Sequence, residues 1–167
     1  VVQCAHYGLP PDPHRITTLV PLNSGKVPDC LEKSTYQAWL DSANRTAVLL
    51  GGSTKSYDYT DEDVNLLVSR LSEIHGHAGS SILVIGSRRS GAFLELIKEK
   101  LPRDSFIYTW KPNDPANPYA LALQESNHLI VTGDSESMIA DALAQGRRFS
   151  IFFCPHEPTR RFDRFSK

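Results

Sequence analysis

Cysteine is scarce in this sequence, with three in 167 residues, at Cys4, Cys30 and Cys154. The number is odd, the spacings are wide, and no C-x-x-C or Cys/His pattern is present, so neither a disulfide framework nor a zinc site follows. The three read as reduced thiols in a cytosol-like compartment. An excess of one charge is lacking too, since 18 basic and 19 acidic residues leave a net charge of −1. No global basic field argues for nucleic acid, and no acidic excess argues for disorder. No apolar run approaches the roughly 18 residues of a membrane helix, and no signal peptide is visible. The expectation is a cytoplasmic protein without a membrane span or a nucleic-acid partner. Repeats, low-complexity tracts and a D-x-D at a strand end are also missing, so no resident metal or cofactor is expected.

What is present suits a globular domain. Hydrophobic residues at 40% and charged residues at 22% are ordinary for a soluble protein, and the length allows one domain, or one domain plus a fragment of another. The chain begins Val1-Val2-Gln3 without a methionine, which fits a piece of something longer. Residues 1 to 45 read as a linker or the remnant of an N-terminal domain. Short strands are predicted at Val1 to Ala5 and Ile16 to Leu22, and Pro10, Pro11, Pro13, Pro21 and Pro28 suit a connector. A helix is predicted from Leu31 to Arg45, with Trp39 and Leu40 on its apolar side. His6 and His14 lack a second ligand at a sensible spacing.

From Thr46 the pattern becomes regular. Ala47 to Leu50 is an apolar, buried strand ending in Gly51-Gly52-Ser53-Thr54, where two glycines let backbone approach a ligand. The loop is neither a Walker loop nor a G-x-G-x-x-G turn. Thr60 and Asp63 form a capping box for a helix striped by Val64, Leu67, Val68, Leu71 and Ile74, stopped by Gly76 and Gly79. Asp58, Asp61, Glu62 and Asp63 are the densest acidic group, and three of them fit that helix start. Ser81 to Ile85 is a strand leading to Arg88 and Arg89, whose guanidinium forks can clamp a diphosphate or simply stand in solvent. Phe93, Leu94, Ile97 and Leu101 stripe the next helix, closed by Pro102. A strand from Ser105 to Trp110 follows, then a helix capped by Asn117 that runs from Pro118 to about Ser126.

The stretch from His128 to Arg148 organises the rest. His128 to Val131 is a β-branched strand that stops at Thr132-Gly133-Asp134-Ser135, where a helix begins near Ser135. Met138, Ile139, Ala142 and Leu143 fall at helical spacing, and Gly146 suits a left-handed cap. The helix N-terminus favours an anion such as phosphate, with hydroxyls from Ser135 and Ser137 and a carboxylate, Asp141, one turn further in near ribose hydroxyls. Alternatively, Asp134 and Ser135 only cap the helix and Asp141 is solvated. With a last strand at Phe149 to Phe153, five strands alternate with four helices. This predicts an α/β Rossmann-like domain over 46–167, a parallel sheet with helices on both faces. Ligands of such sheets bind at the strands' carboxyl ends, where Gly51, Gly52, Ser53, Arg88, Arg89, Trp110, Asn117, Asp134 and Ser135 all fall. The basic, Phe-containing tail at 159–167 reads as a short amphipathic helix.

The series VLLGGSTKSYDYT, ILVIGSRR, Trp110, NPYALAL and IVTGDSESMIADALAQGR resembles the family of plant mitochondrial-fission (elongated-mitochondria) proteins and their bacterial relatives. Bacterial members often carry the label of nucleoside-diphosphate-sugar epimerase. The similarity spans roughly residues 46 to 165 and is most specific from Val131 to Gly146. It implies the C-terminal domain of a GT-B glycosyltransferase-like fold, which holds a nucleotide sugar against an N-terminal partner domain. It also implies donor-site roles for Gly51, Gly52, Ser53, Arg88, Arg89, Ser135, Ser137 and Met138. Where the family pattern S-M-x-x-E ends in glutamate, this chain has Asp141, a shorter carboxylate with less reach to a ribose. The resemblance implies a metal-independent site whose general base lies in the other domain, so the isolated chain should bind a nucleotide without turnover. The alternatives it carries are a non-catalytic adaptor, as the plant relatives recruit a fission protein, and a nucleotide-sugar epimerase.

Overall fold

The computed structural model describes residues 2–4, 9–18, 20–22, 27, 29–54, 58–146 and 148–153. Cys154 and the expected tail helix lie outside them. Strands β1 (Val2–Cys4) and β2 (Ile16–Thr18) pair in parallel with each other. A 3-10 turn at Lys33–Tyr36 then leads into one turn of helix, α1 (Gln37–Leu40).

The main sheet follows as β3 (Arg45–Leu50), α2 (Asp61–Ala78), β4 (Ser81–Gly86), α3 (Gly91–Lys98), β5 (Phe106–Tyr108), α4 (Tyr119–Glu125), β6 (His128–Thr132), α5 (Glu136–Ala144) and β7 (Phe149–Phe152). All five strands are parallel, in the order β5-β4-β3-β6-β7. The expected alternation of five strands and four helices is therefore present.

Side chains alternate across a strand, and in β3 both faces are apolar, so each needs its own cover. Val48 and Leu50 point to a layer with Val64, Leu67 and Leu71 of α2 and Phe93, Leu94 and Ile97 of α3. Ala47 and Leu49 point to the opposite layer, with Leu121 and Leu123 of α4, Ile139 and Ala142 of α5, and Cys30, Tyr36 and Trp39. The core thus reaches back to Cys30, across the boundary expected at residue 46. Trp39 is wholly buried, and its indole N–H donates to the Ser81 carbonyl at 3.2 Å and the Thr46 carbonyl at 3.4 Å.

The helix expected from Leu31 to Arg45 is cut to four residues. The chain must turn at Ser42 to Asn44 so that Arg45 can enter the sheet, and the Ser42 hydroxyl donates to the Asn44 carbonyl at 2.9 Å within that turn. The Arg45 guanidinium bonds to the Leu40, Ser42 and Glu125 carbonyls, closing the ends of α1 and α4 together. Helix α2 starts on the expected capping box but runs through Gly76, and the left-handed Gly79, at φ 56°, ends it. Helix α3 stops at Lys98, short of the buried Leu101. Helix α4 begins at Tyr119, one residue past the expected Pro118, and Gly146 adopts the expected left-handed conformation after α5. Leu143 departs from the expected stripe and is exposed.

Candidate functional site

The chain leaves β3 to build β4 and β5 on one side, then returns to lay β6 and β7 on the other. Loops diverge from the carboxyl ends of β3 and β6, and the crevice between them is where this architecture binds ligands. Three strand-end segments meet there: Gly51 to Ser53 after β3, Ser87 to Arg89 after β4, and Gly133 to Ser135 after β6.

Asp134 joins them. Its side chain is completely shielded from solvent. One carboxylate oxygen accepts the Gly52 N–H at 2.9 Å and the Arg89 guanidinium at 3.1 Å, and the other accepts the Tyr59 hydroxyl. The Tyr59 ring is itself fixed by stacking on Phe93 of α3, with centroids 3.7 Å apart. A Cβ at Gly51 would stand 2.1 Å from the Asp134 carboxylate, and one at Gly52 would stand 2.2 Å from the Arg89 carbonyl. The nearest neighbour that requires glycine at 51 is therefore a carboxylate of the protein itself.

Further bonds tie the same loops. The Gly51 N–H donates to the Thr132 hydroxyl at 2.7 Å, and the Ser87 hydroxyl donates to the Gly51 carbonyl at 2.6 Å while accepting the Arg89 N–H at 3.2 Å. Arg89 also reaches toward the Ser53 carbonyl at 3.4 Å. The two arginines differ. Arg89 is held by the protein, whereas Arg88 is exposed and makes no hydrogen bond or ion pair among the described residues. Beside them, Ser135 is the buried N-cap of α5, with its hydroxyl 3.4 Å from that of the exposed Ser137. Met138 turns the other way and packs, half-buried, against the core.

A second group lies at the same carboxyl edge, beyond β5. A cavity of about 410 Å³ is lined by Trp110, Lys111, Asn113, Asp114, Asn117 and Tyr119 among others. The Trp110 ring is exposed at its mouth. Asn117 accepts the Tyr119 N–H at 3.0 Å and so sets the first turn of α4. The Tyr119 hydroxyl donates at 2.6 Å to Asp141, a residue of α5, so the cavity wall and the helix rising from the crevice share one hydrogen bond. Burial, and then the Asp141 carboxylate as acceptor, push the Tyr119 phenol well above the usual tyrosine range.

Another cavity, of about 420 Å³, opens at the amino ends of the strands between Arg45, Ile74, His77 and His128. It lies on the opposite edge from the crevice, and Arg45 is already committed to three carbonyls, so the fold gives it no comparable role. No group of three or more histidine, cysteine or carboxylate side chains that could hold a metal exists among the described residues. No helix among them is long and apolar enough to cross a membrane. Tyr59, Ser87, Tyr119 and Thr132 belong to the site's framework but carry no local sequence signal. Each matters only through a partner in a different segment.

A parallel α/β sheet with this strand order and carboxyl-edge crevice is Rossmann-like, of the kind found in GT-B glycosyltransferases. The crystal structure of the glycosyl transferase family 9 from Veillonella parvula DSM 2008 superposes with a TM-score of 0.50 at 17% identity, covering 75% of this chain and 36% of that one. The chain belongs to the family described as Mitochondrial fission ELM1, whose sequence model matches residues 3–167. The uncharacterized protein RP120 of Rickettsia prowazekii (strain Madrid E) is 30% identical over 113 residues, or 66% of this chain and 32% of that protein. The chain thus spans about a third of the length of each.

Proposed function

We propose that this chain is the nucleotide-sugar-binding half of a glycosyltransferase-like protein. The observation that carries the reading is the convergence of three strand-end loops and the α5 N-terminus on one crevice, with an aromatic-mouthed cavity beside it on the same edge. The N-terminal end of α5, the Ser135 and Ser137 hydroxyls, the Ser53 segment and Arg88, which has no partner among the described residues, supply what a diphosphate needs. Trp110 offers a face on which a nucleobase can stack, and a cavity of this size is suited to a ligand of that class. Asp141, on the helix between the two, is then the carboxylate placed for ribose hydroxyls.

The sugar would face a second, N-terminal domain, which supplies the general base and the acceptor site. Such a domain would fit within the length of the relatives, of which this chain covers about a third. In this reading the chain alone binds nucleoside diphosphates and turns over nothing. The buried thiols Cys4 and Cys30 suit a reducing cytoplasmic setting.

The test is a titration with nucleoside diphosphates and nucleotide sugars, read by thermal shift and tryptophan fluorescence. A ligand at about 100 times its dissociation constant should add roughly 2.7 kcal/mol of stability. Trp39 is wholly buried, so quenching should come from Trp110 and vanish in W110F. R88A should abolish the shift without lowering the melting temperature of the unliganded chain. Absence of any shift, in this chain and in one extended by the preceding domain, would favour the adaptor reading instead.

A further inference from the structure

We infer that Asp134 is a positioning residue of the crevice, which fixes the Gly51 to Ser53 loop and Arg89 so that Arg88 is the guanidinium left to meet the ligand's phosphates. The inference rests on the nucleotide-binding reading above and divides labour within it. A buried carboxylate beside a phosphate site would repel the ligand if it faced it, yet this one is turned wholly inward and used up by three donors. Those donors are Gly52 and Tyr59, near the two ends of the connection from β3 to α2, and Arg89 in the loop after β4. One carboxylate therefore sets the relative placement of all three.

The glycines show how closely the parts are fitted. Gly51 has no room for a Cβ because Asp134 stands there, and Gly52 has none because the Arg89 backbone stands there. With Gly52 donating its N–H inward to Asp134, the loop is committed to one conformation, and its outer face is what a ligand meets. Arg89 bridges Asp134 and the loop carbonyls, so it holds the loop's shape. Arg88, next to it in sequence, is carried on that fixed turn with its own side chain in solvent.

A double-mutant cycle with a nucleoside diphosphate as probe tests this, with affinity measured by calorimetry on the full chain. D134N and R89Q should each weaken binding on the order of tenfold or more, since each removes a charged hydrogen bond that fixes the loop. The double variant should be no weaker than the worse single, while R88Q should multiply with either. D134N removes a negative charge near a bound anion, so unaltered positioning would leave affinity the same or higher. I74A, a change in α2 at the cavity on the opposite edge of the sheet, serves as a control for destabilisation and should bind as wild type does. Amide exchange adds a signature independent of affinity, because the Gly52 N–H should lose protection in D134N. A wild-type chain that binds while D134N binds equally or better, or losses at 89 and 134 that multiply, would overturn the positioning alone. A wild-type chain that binds no nucleoside diphosphate would overturn the functional reading and this inference together.

Discussion

Replacing Gly51 with alanine tests the packing of the crevice without replacing any charged residue. The new Cβ would lie 2.1 and 2.3 Å from the two Asp134 oxygens and 2.5 Å from the carboxyl carbon, where contacts of about 3.5 Å are comfortable. The carboxylate must therefore retreat by more than 1 Å or the loop must lift, and either stretches the 2.9 Å bond from Gly52 and the 3.1 Å bond from Arg89 past hydrogen-bonding range. A lost hydrogen bond to a charged group costs about 1.5–3 kcal/mol, and overpacking a further 1–3 kcal/mol. Arg89 is 38% exposed, so water recovers much of its share. The smaller entropy of the unfolded alanine chain returns about 0.4–1 kcal/mol. A net loss of about 3 kcal/mol follows, which in a chain of this size lowers the melting temperature by roughly 6–12 °C. Urea denaturation should show the midpoint falling with the slope unchanged. Gly76, in the exposed interior of α2 with nothing within 4 Å of an added Cβ, is the internal comparison, and the same substitution there should stabilise by about 0.5–1 kcal/mol. A G51A chain within about 0.5 kcal/mol of wild type would refute the steric argument.

Two further outcomes follow from other parts of the fold. T60A removes one half of the capping box of α2, in which the hydroxyl accepts the Asp63 N–H at 3.3 Å, and should cost about 1 kcal/mol in chemical denaturation. The third concerns pH, because the Tyr119 phenol is raised by burial and by the Asp141 acceptor. Unfolded tyrosine releases its proton near pH 10 and folded Tyr119 holds it longer, so stability is complete below that pH and declines as pH rises above it. In Y119F the decline above pH 10 should be shallower, though not abolished, since burial raises Tyr108 in the same direction. An unchanged slope would remove the link between Tyr119 and Asp141.

The sheet was legible because its signals are local. Short apolar runs ending at glycine or at turn and capping residues mark the ends of β3, β4 and β6, and the Thr60–Asp63 pair marks α2 within three residues. Boundaries were harder where the decision is made at a distance. The stretch from Leu31 to Arg45 carries a helical stripe, but the demand that Arg45 enter β3 and that Trp39 reach beneath the sheet ends the helix at Leu40. Gly76 looks like a stop signal and is none, since only Gly79 has the left-handed backbone that ends the helix. The candidate site shows the same limit. Sequence alone marks Gly51 and Gly52 as places where backbone can approach a ligand, but it does not say that the protein's own Asp134, 83 positions away, crowds Gly51 and that the Arg89 backbone, 37 positions away, crowds Gly52. Likewise nothing around Tyr59 or Tyr119 announces a hydroxyl aimed at a carboxylate on another segment.

The adjacency of β3 and β6 also has a meaning in time. These neighbours in the sheet are separated by about 80 residues of sequence, all of which must be synthesised between them. At typical translation rates that is an interval of roughly 4 to 16 s. Until it ends, β3 can pair with β4, but its other edge is an open row of hydrogen-bonding groups beside an apolar surface. The crevice, being made from that edge, cannot form on the ribosome until β6 and the loop after it have emerged. Substitutions that slow the arrival or docking of β6 should therefore show in the yield of soluble protein before they show in the stability of the finished fold.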